Sequence, residues 1–127
     1  MARASITGNA TSDVELKFLN SGVAVANFSI AESYKPSRDK DEETYFWNVV
    51  VWNQLAENVA ESVRKGQRVV VEGRLVQRTW TTEDDQKRSK VELVADSVGI
   101  ELRFGTAVYT KRAAQGASSA PADDDLF

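Results

Sequence analysis

The chain has 127 residues, 42% of them hydrophobic and 28% charged, with a formal net charge of −3. That length suits one domain with a real core rather than two. With no cysteine and no histidine, disulfides, thiolate sites and the commonest general base and metal ligand are excluded, and no nucleophile–base pair, metal cluster or cofactor site can be assembled for an enzyme.

The opening MARASITGNA has no apolar run long enough for a signal peptide. No stretch of the chain reads as a membrane span, so a cytoplasmic protein is expected. From Arg3 to Phe18 one strand is expected, bent or broken around Gly8-Asn9. The turn Asn20-Ser21-Gly22 opens a β-rich run, GVAVANFSIA, over Gly22–Ala31. KPSRDKDEE then reads as a charged loop.

TYFWNVVVW, Thr44–Trp52, is the next strand, and side chains alternate across it. One face carries Tyr45, Trp47, Val49 and Val51 and reads as core or subunit interface. The other carries Phe46, Asn48, Val50 and Trp52. An amide in the middle of that face argues against deep burial, which leaves Phe46 and Trp52 as candidates for exposed rings. A single helix follows. Asn53 is its expected N-cap, and Leu55, Val59 and Val63 recur every four residues with Ala56 and Ala60 beside them. Arg64 and Lys65 suit the last turn, and Gly66 suits a left-handed stop.

RVVVEGRLVQRTW, Arg68–Trp80, divides in the same way. Val69, Val71, Gly73 and Leu75 share one face, and Arg74, Val76, Arg78 and Trp80 share the other. Two guanidinium groups beside an indole offer cations for phosphates and a ring for bases, the pairing that sequence-independent single-strand binding needs. The plainer reading of the same residues is a solvated face. TTEDDQKRS connects to the last strand, KVELVADSVGIEL, Lys90–Leu102, as a hairpin. Glu83-Asp84-Asp85 lacks calcium-loop spacing and reads as its solvated tip.

Composition changes beyond residue 105. AAQGASSAPA, Ala113–Ala122, is too small in its side chains to build a core and reads as a flexible linker. It ends in DDDLF. Setting aside those three of the 19 acidic residues leaves 16 against 16 basic ones, so any basic surface must be a local patch. The expected organisation is a folded domain over residues 1–105, a flexible linker over 106–122 and an acidic tip over 123–127. Five strands with one helix between the third and fourth is the order of an all-β OB-fold, a five-stranded Greek-key barrel, with a small sandwich as the alternative.

GVAVANFSIA, VVVWNQLAENVAESVRKGQRVVVEGRL, RTW and VELVADSV, in that order, resemble the bacterial single-stranded DNA-binding protein family or one of its short-tailed accessory paralogues. The resemblance implies a homotetramer, associated with the nucleoid, that binds and protects single-stranded DNA during replication, recombination and repair. It implies base stacking at Phe46, Trp52 and Trp80, with Tyr34 the nearest match to a further family aromatic. Family basic positions match Arg78 and Lys65, while Asn48 and Val76 stand where the family has phosphate contacts. With the strand faces considered as well, Arg3, Lys17, Arg64, Lys65, Arg74 and Arg78 are the candidate phosphate track. Trp47 matches a family position near subunit contacts. Asp123, Asp124, Asp125, Leu126 and Phe127 resemble the family's acidic tip, which docks replication and repair proteins, but lack its penultimate proline. The competing readings are an OB-fold RNA-binding module and a protein-interaction module whose rings only close an interface.

Overall fold

The computed structural model describes residues 1–112. It holds six strands and one α-helix: β1 (Arg3–Ala10), β2 (Glu15–Phe18), β3 (Ala24–Tyr34), β4 (Glu43–Trp52), α1 (Asn53–Ser62), β5 (Arg68–Thr81) and β6 (Lys87–Ile100), followed by a 3₁₀ turn at Leu102–Phe104. The stretch expected as one strand from Arg3 to Phe18 is two, and the break falls at residues 11–14 rather than at Gly8. Counting β1 and β2 as two arms of one strand restores five strands with the helix between the third and fourth.

Strand order in the sheet is β1-β5-β6-β4-β3-β2, and β1 also pairs with β3, which closes the barrel. The pairings are antiparallel except β4 with β6. This is the Greek-key circuit of an OB-fold. Closure at Asn9↔Ala31 and Ala10↔Ile30 demands close approach of the two backbones. A Cβ added at Gly8 would lie 2.5 Å from the Ala31 carbonyl oxygen, so glycine is the residue that lets the strands meet.

Alternating apolar side chains fill the interior: Phe28 and Ile30 from β3, Val49 and Val51 from β4, Val69 and Val71 from β5, and Leu93 and Ala95 from β6. The register of β5 against β6 shifts between Glu72 and Gly73, where Glu72 pairs with Ser97 but Gly73 pairs with Ala95. Asp96 is the extra residue. A bulge of this kind changes which side chains point inward, and beyond it Val98 and Ile100 take over the inward positions. At the same point a Cβ on Gly73 would collide with the Val94 carbonyl oxygen.

Ala56, Val59 and Val63 bury the helix face against the core, as their spacing predicts. The start of the helix differs from expectation. The position before it is Trp52, in extended conformation, and no side chain caps the first turn. Asn53 has φ 64° instead. An abrupt strand-to-helix turn at one left-handed residue, which Asn tolerates better than most, replaces the side-chain cap. The helix ends at Ser62, before Arg64 and Lys65. Gly66 has φ +90° as part of the turn into β5. Among the described residues no helix is long and apolar enough to cross a membrane.

Candidate nucleic-acid interface

Cross-strand register converts the outer surface of the sheet into rows, because residues paired across a ladder share a face. One row runs Lys17–Val25–Trp52. The next runs Glu15–Asn27–Val50–Val94–Arg74–Arg3, crossing all six strands. A third runs Ser29–Asn48–Glu92–Val76. Beyond it Ala31 pairs with Phe46, Arg78 with Lys90 and Trp80 with Arg88. Trp52 and Phe46 therefore stand at two ends of one strand, roughly 20 Å apart at about 3.4 Å per residue. Trp80 continues the face past Arg78 on the long β5–β6 hairpin.

The three rings are open to solvent: Phe46 is 69% exposed, Trp80 46% and Trp52 37%. Strand alternation, with Asn48 on the face of Phe46 and Trp52 and the arginines on that of Trp80, points these rings to the outside, and the register brings them to one face. Tyr34 is different. It pairs with Glu43, so it lies on the opposite side of the β3–β4 ribbon together with Tyr45 and Trp47. It is 54% exposed. On that side the ribbon extends past the core, so Tyr45, expected on a wholly apolar face, is exposed as well. The Tyr45 hydroxyl donates to Glu43 Oε1 at 2.5 Å, and that bond holds the phenol above its ordinary pKa. Trp47 packs partly on the core, and its indole N–H donates to Glu32 Oε1 at 3.1 Å.

The candidate cations divide into three groups. Arg74 and Arg78 lie on the face with the rings. Arg74 is exposed and has no ion-pair partner among the described residues. Arg3 stands directly across from Arg74 and pairs with Asp96 at 2.9 Å. Lys17 heads the Trp52 row and is 3.9 Å from Glu15. Arg64 is turned away. Its guanidinium donates to the carbonyls of Ala60 at 2.7 Å and Val63 at 3.1 Å, which satisfies the end of α1. Lys65 lies in the following turn, where its backbone N–H donates to Asp13 at 2.9 Å.

Several groups on this face were not foreseen. Lys87 to Ser89 read as part of a connector, yet they form the start of β6, and register sets Lys90 beside Arg78 and Arg88 beside Trp80. Between Arg78 and Lys90 sits a carboxylate. Glu92 is only 7% exposed. Its Oε1 accepts from Arg78 Nε at 2.5 Å, and its Oε2 lies 3.2 Å from Lys90 Nζ. Burial pushes the Glu92 carboxyl upward, but the bonds from Arg78 and Lys90 outweigh it and leave the group below the usual carboxylate range. Next to it opens a polar cavity of about 310 Å³, whose walls include Asp13, Glu15, Asn27, Asn48, Lys90 and Glu92. Pairing the two arms of the hairpin residue by residue was the signal that could have found Lys90 and Glu92.

The linker from Ala113 onward and the tip Asp123, Asp124, Asp125, Leu126 and Phe127 lie outside the described residues.

Comparison with known proteins adds a second line. Residues 1–101 match the model of the single-strand binding protein family. A single-stranded DNA-binding protein of Paenarthrobacter aurescens is 46% identical over 108 residues, 81% of this chain and 63% of that protein. One of Mycobacterium tuberculosis is 42% identical over 117 residues, 88% of this chain and 71% of its own length. One of Corynebacterium glutamicum is 47% identical over 108 residues, 81% of this chain and 48% of the relative. The chain thus spans between about half and seven tenths of these relatives.

Proposed function

The chain belongs to the single-strand binding protein family, and from that premise we propose that it binds single-stranded DNA without sequence preference and shields it during replication, recombination and repair. One observation carries the reading: Phe46, Trp52 and Trp80 stand solvent-open on one outer sheet face that also bears Arg74, Arg78 and Lys90. Flat rings accept any base, and interleaved cations accept the backbone. Binding of this kind involves no bond-making, so the protein acts as a non-enzymatic cover for the strand.

In this reading Phe46, Trp52 and Trp80 stack on bases. Arg74 and Arg78 form the centre of the phosphate track, with Arg3 and Lys17 at its margins. Lys65 is tied through its backbone N–H to Asp13, a wall of the cavity beside Glu92. Arg64 has the weakest claim, since its guanidinium is engaged by the helix. Tyr34 takes part only where a strand turns round the edge of the β3–β4 ribbon. The functional unit is a homotetramer with Trp47 near a subunit contact. The acidic tip, Asp123 to Phe127, docks replication and repair proteins through charge and one terminal ring. Such a protein resides in the cytoplasm with the nucleoid.

Titration of the intrinsic tryptophan fluorescence with oligo-dT should show quenching that weakens as salt rises, by about 0.7 in the log–log slope per phosphate neutralised. Trp80→Ala should weaken binding by about 1–3 kcal/mol, the range known for stacking in single-strand binders as a class rather than one obtained from this structure. Tyr34→Ala, across the ribbon, should cost less. Absence of quenching at low salt would refute the assignment. Preference for an RNA oligomer of equal sequence would favour a reader of the 2′-hydroxyl instead.

A further inference from the structure

Arg78 and Lys90 are directly opposed across the β5–β6 ladder. Like charges in that position repel. Glu92, two residues along from Lys90, answers both: one carboxylate oxygen meets each cation. The carboxylate side chain is 9% exposed, while Arg78 and Lys90 are 52% and 49% exposed. The anion is thus sunk beneath two cations that still reach water. Val76 stands across from it on β5 and Asn48 on β4. A face meant only to attract phosphate gains nothing from a buried anion, which costs desolvation and cancels one positive charge.

We propose that Glu92 is a positioning residue that sets the strength of DNA binding, by holding Arg78 and Lys90 side by side between the rings of Phe46 and Trp80 and by capping what this pair presents to phosphate at a single net positive charge. The proposal rests on the binding reading above. A phosphate arriving at the pair competes with a carboxylate already in place, so each contact is easily exchanged. The cations are fixed in advance, and little side-chain entropy is lost when the backbone docks. Grip is therefore traded for reversibility at this point of the track, which suits a cover that must be displaced.

The test uses the full chain with Glu92→Gln and Glu92→Met, two neutral side chains of similar size, titrated with oligo-dT over a series of salt concentrations. Both variants should bind more tightly than wild type at low salt. The log–log salt slope should steepen by about 0.7, the increment for one more neutralised phosphate on a single strand. The advantage over wild type should then shrink about 2.6-fold between 50 and 200 mM salt. Removing Lys90 as well, in Glu92→Gln/Lys90→Gln, restores the single positive charge and should return the slope to the wild-type value. A purely structural role for the carboxylate would not be rescued that way. An unchanged or shallower slope in folded variants overturns the proposal, as does failure of the double variant to revert. Failure of both neutral variants to fold overturns it too, since the carboxylate would then be a structural group. If wild type itself does not bind oligo-dT, the functional reading falls and this inference with it; if wild type binds and the slopes coincide, only this inference falls.

Discussion

A carboxylate as enclosed as that of Glu92 loses most of its hydration, and it stays ionised because Arg78 from β5 and Lys90 from its own strand close over it. Asp13 and Glu15 face it only across the neighbouring cavity. Its folded-state pKa lies below the ordinary glutamate value. The stability it adds is therefore complete above the range where an unfolded glutamate titrates, about 4.3, and fades as pH falls through the lower folded value. Thermal melts of wild type and Glu92→Gln from about pH 7 down to about pH 3 should show the difference in Tm moving against wild type as the solution is acidified. A difference that holds constant over that range would show that the two ion pairs contribute nothing that depends on charge.

At the scale of elements, the long β5–β6 hairpin depends on one residue without a side chain. Gly73 passes so close to the Val94 carbonyl that a methyl group cannot fit unless the backbone yields. Gly73→Ala should therefore destabilise the fold by about 1–3 kcal/mol or more, the usual penalty of overpacking, with a lower urea midpoint at unchanged slope. An unaltered midpoint would mean the strands separate there without strain. Most of the architecture was legible from alternation. The inward valines of β4 and β5 and the helix face Ala56–Val59–Val63 follow from period, and the outward Phe46, Trp52 and Trp80 follow from period once Asn48 and the two arginines mark which face is wet. What escaped depends on partners rather than on period. Tyr34 matches a family aromatic by position, but its pairing with Glu43 puts it across the ribbon from the other rings. Glu92 looked like an unremarkable strand residue because its significance lies in Arg78, fourteen positions away. Asn53 looked like a cap because the residue that caps helices is also one that tolerates φ 64°.

For the whole molecule, the folded chain leaves large apolar side chains in water. Phe18 is 59% exposed, Leu102 58%, Phe104 79% and Tyr109 84%. So much open apolar surface favours association. Light scattering of the full chain should report about four times the 14.0 kDa of one chain, and a chain ended after Arg112 should give the same subunit number. A monomeric mass would overturn the tetramer. At Asp96 strand β6 carries one residue more than the ladder uses. Exchanging it for asparagine removes a surface ion pair and little else. Deleting it makes Ala95 and Ser97 direct neighbours opposite Gly73 and Glu72, so alternation still turns Val98 and Ile100 inward. What such a deletion takes away is the local bend and added twist that a surplus residue gives its strand. Like a leap day, Asp96 leaves the order of its neighbours intact and governs only how the strand comes round.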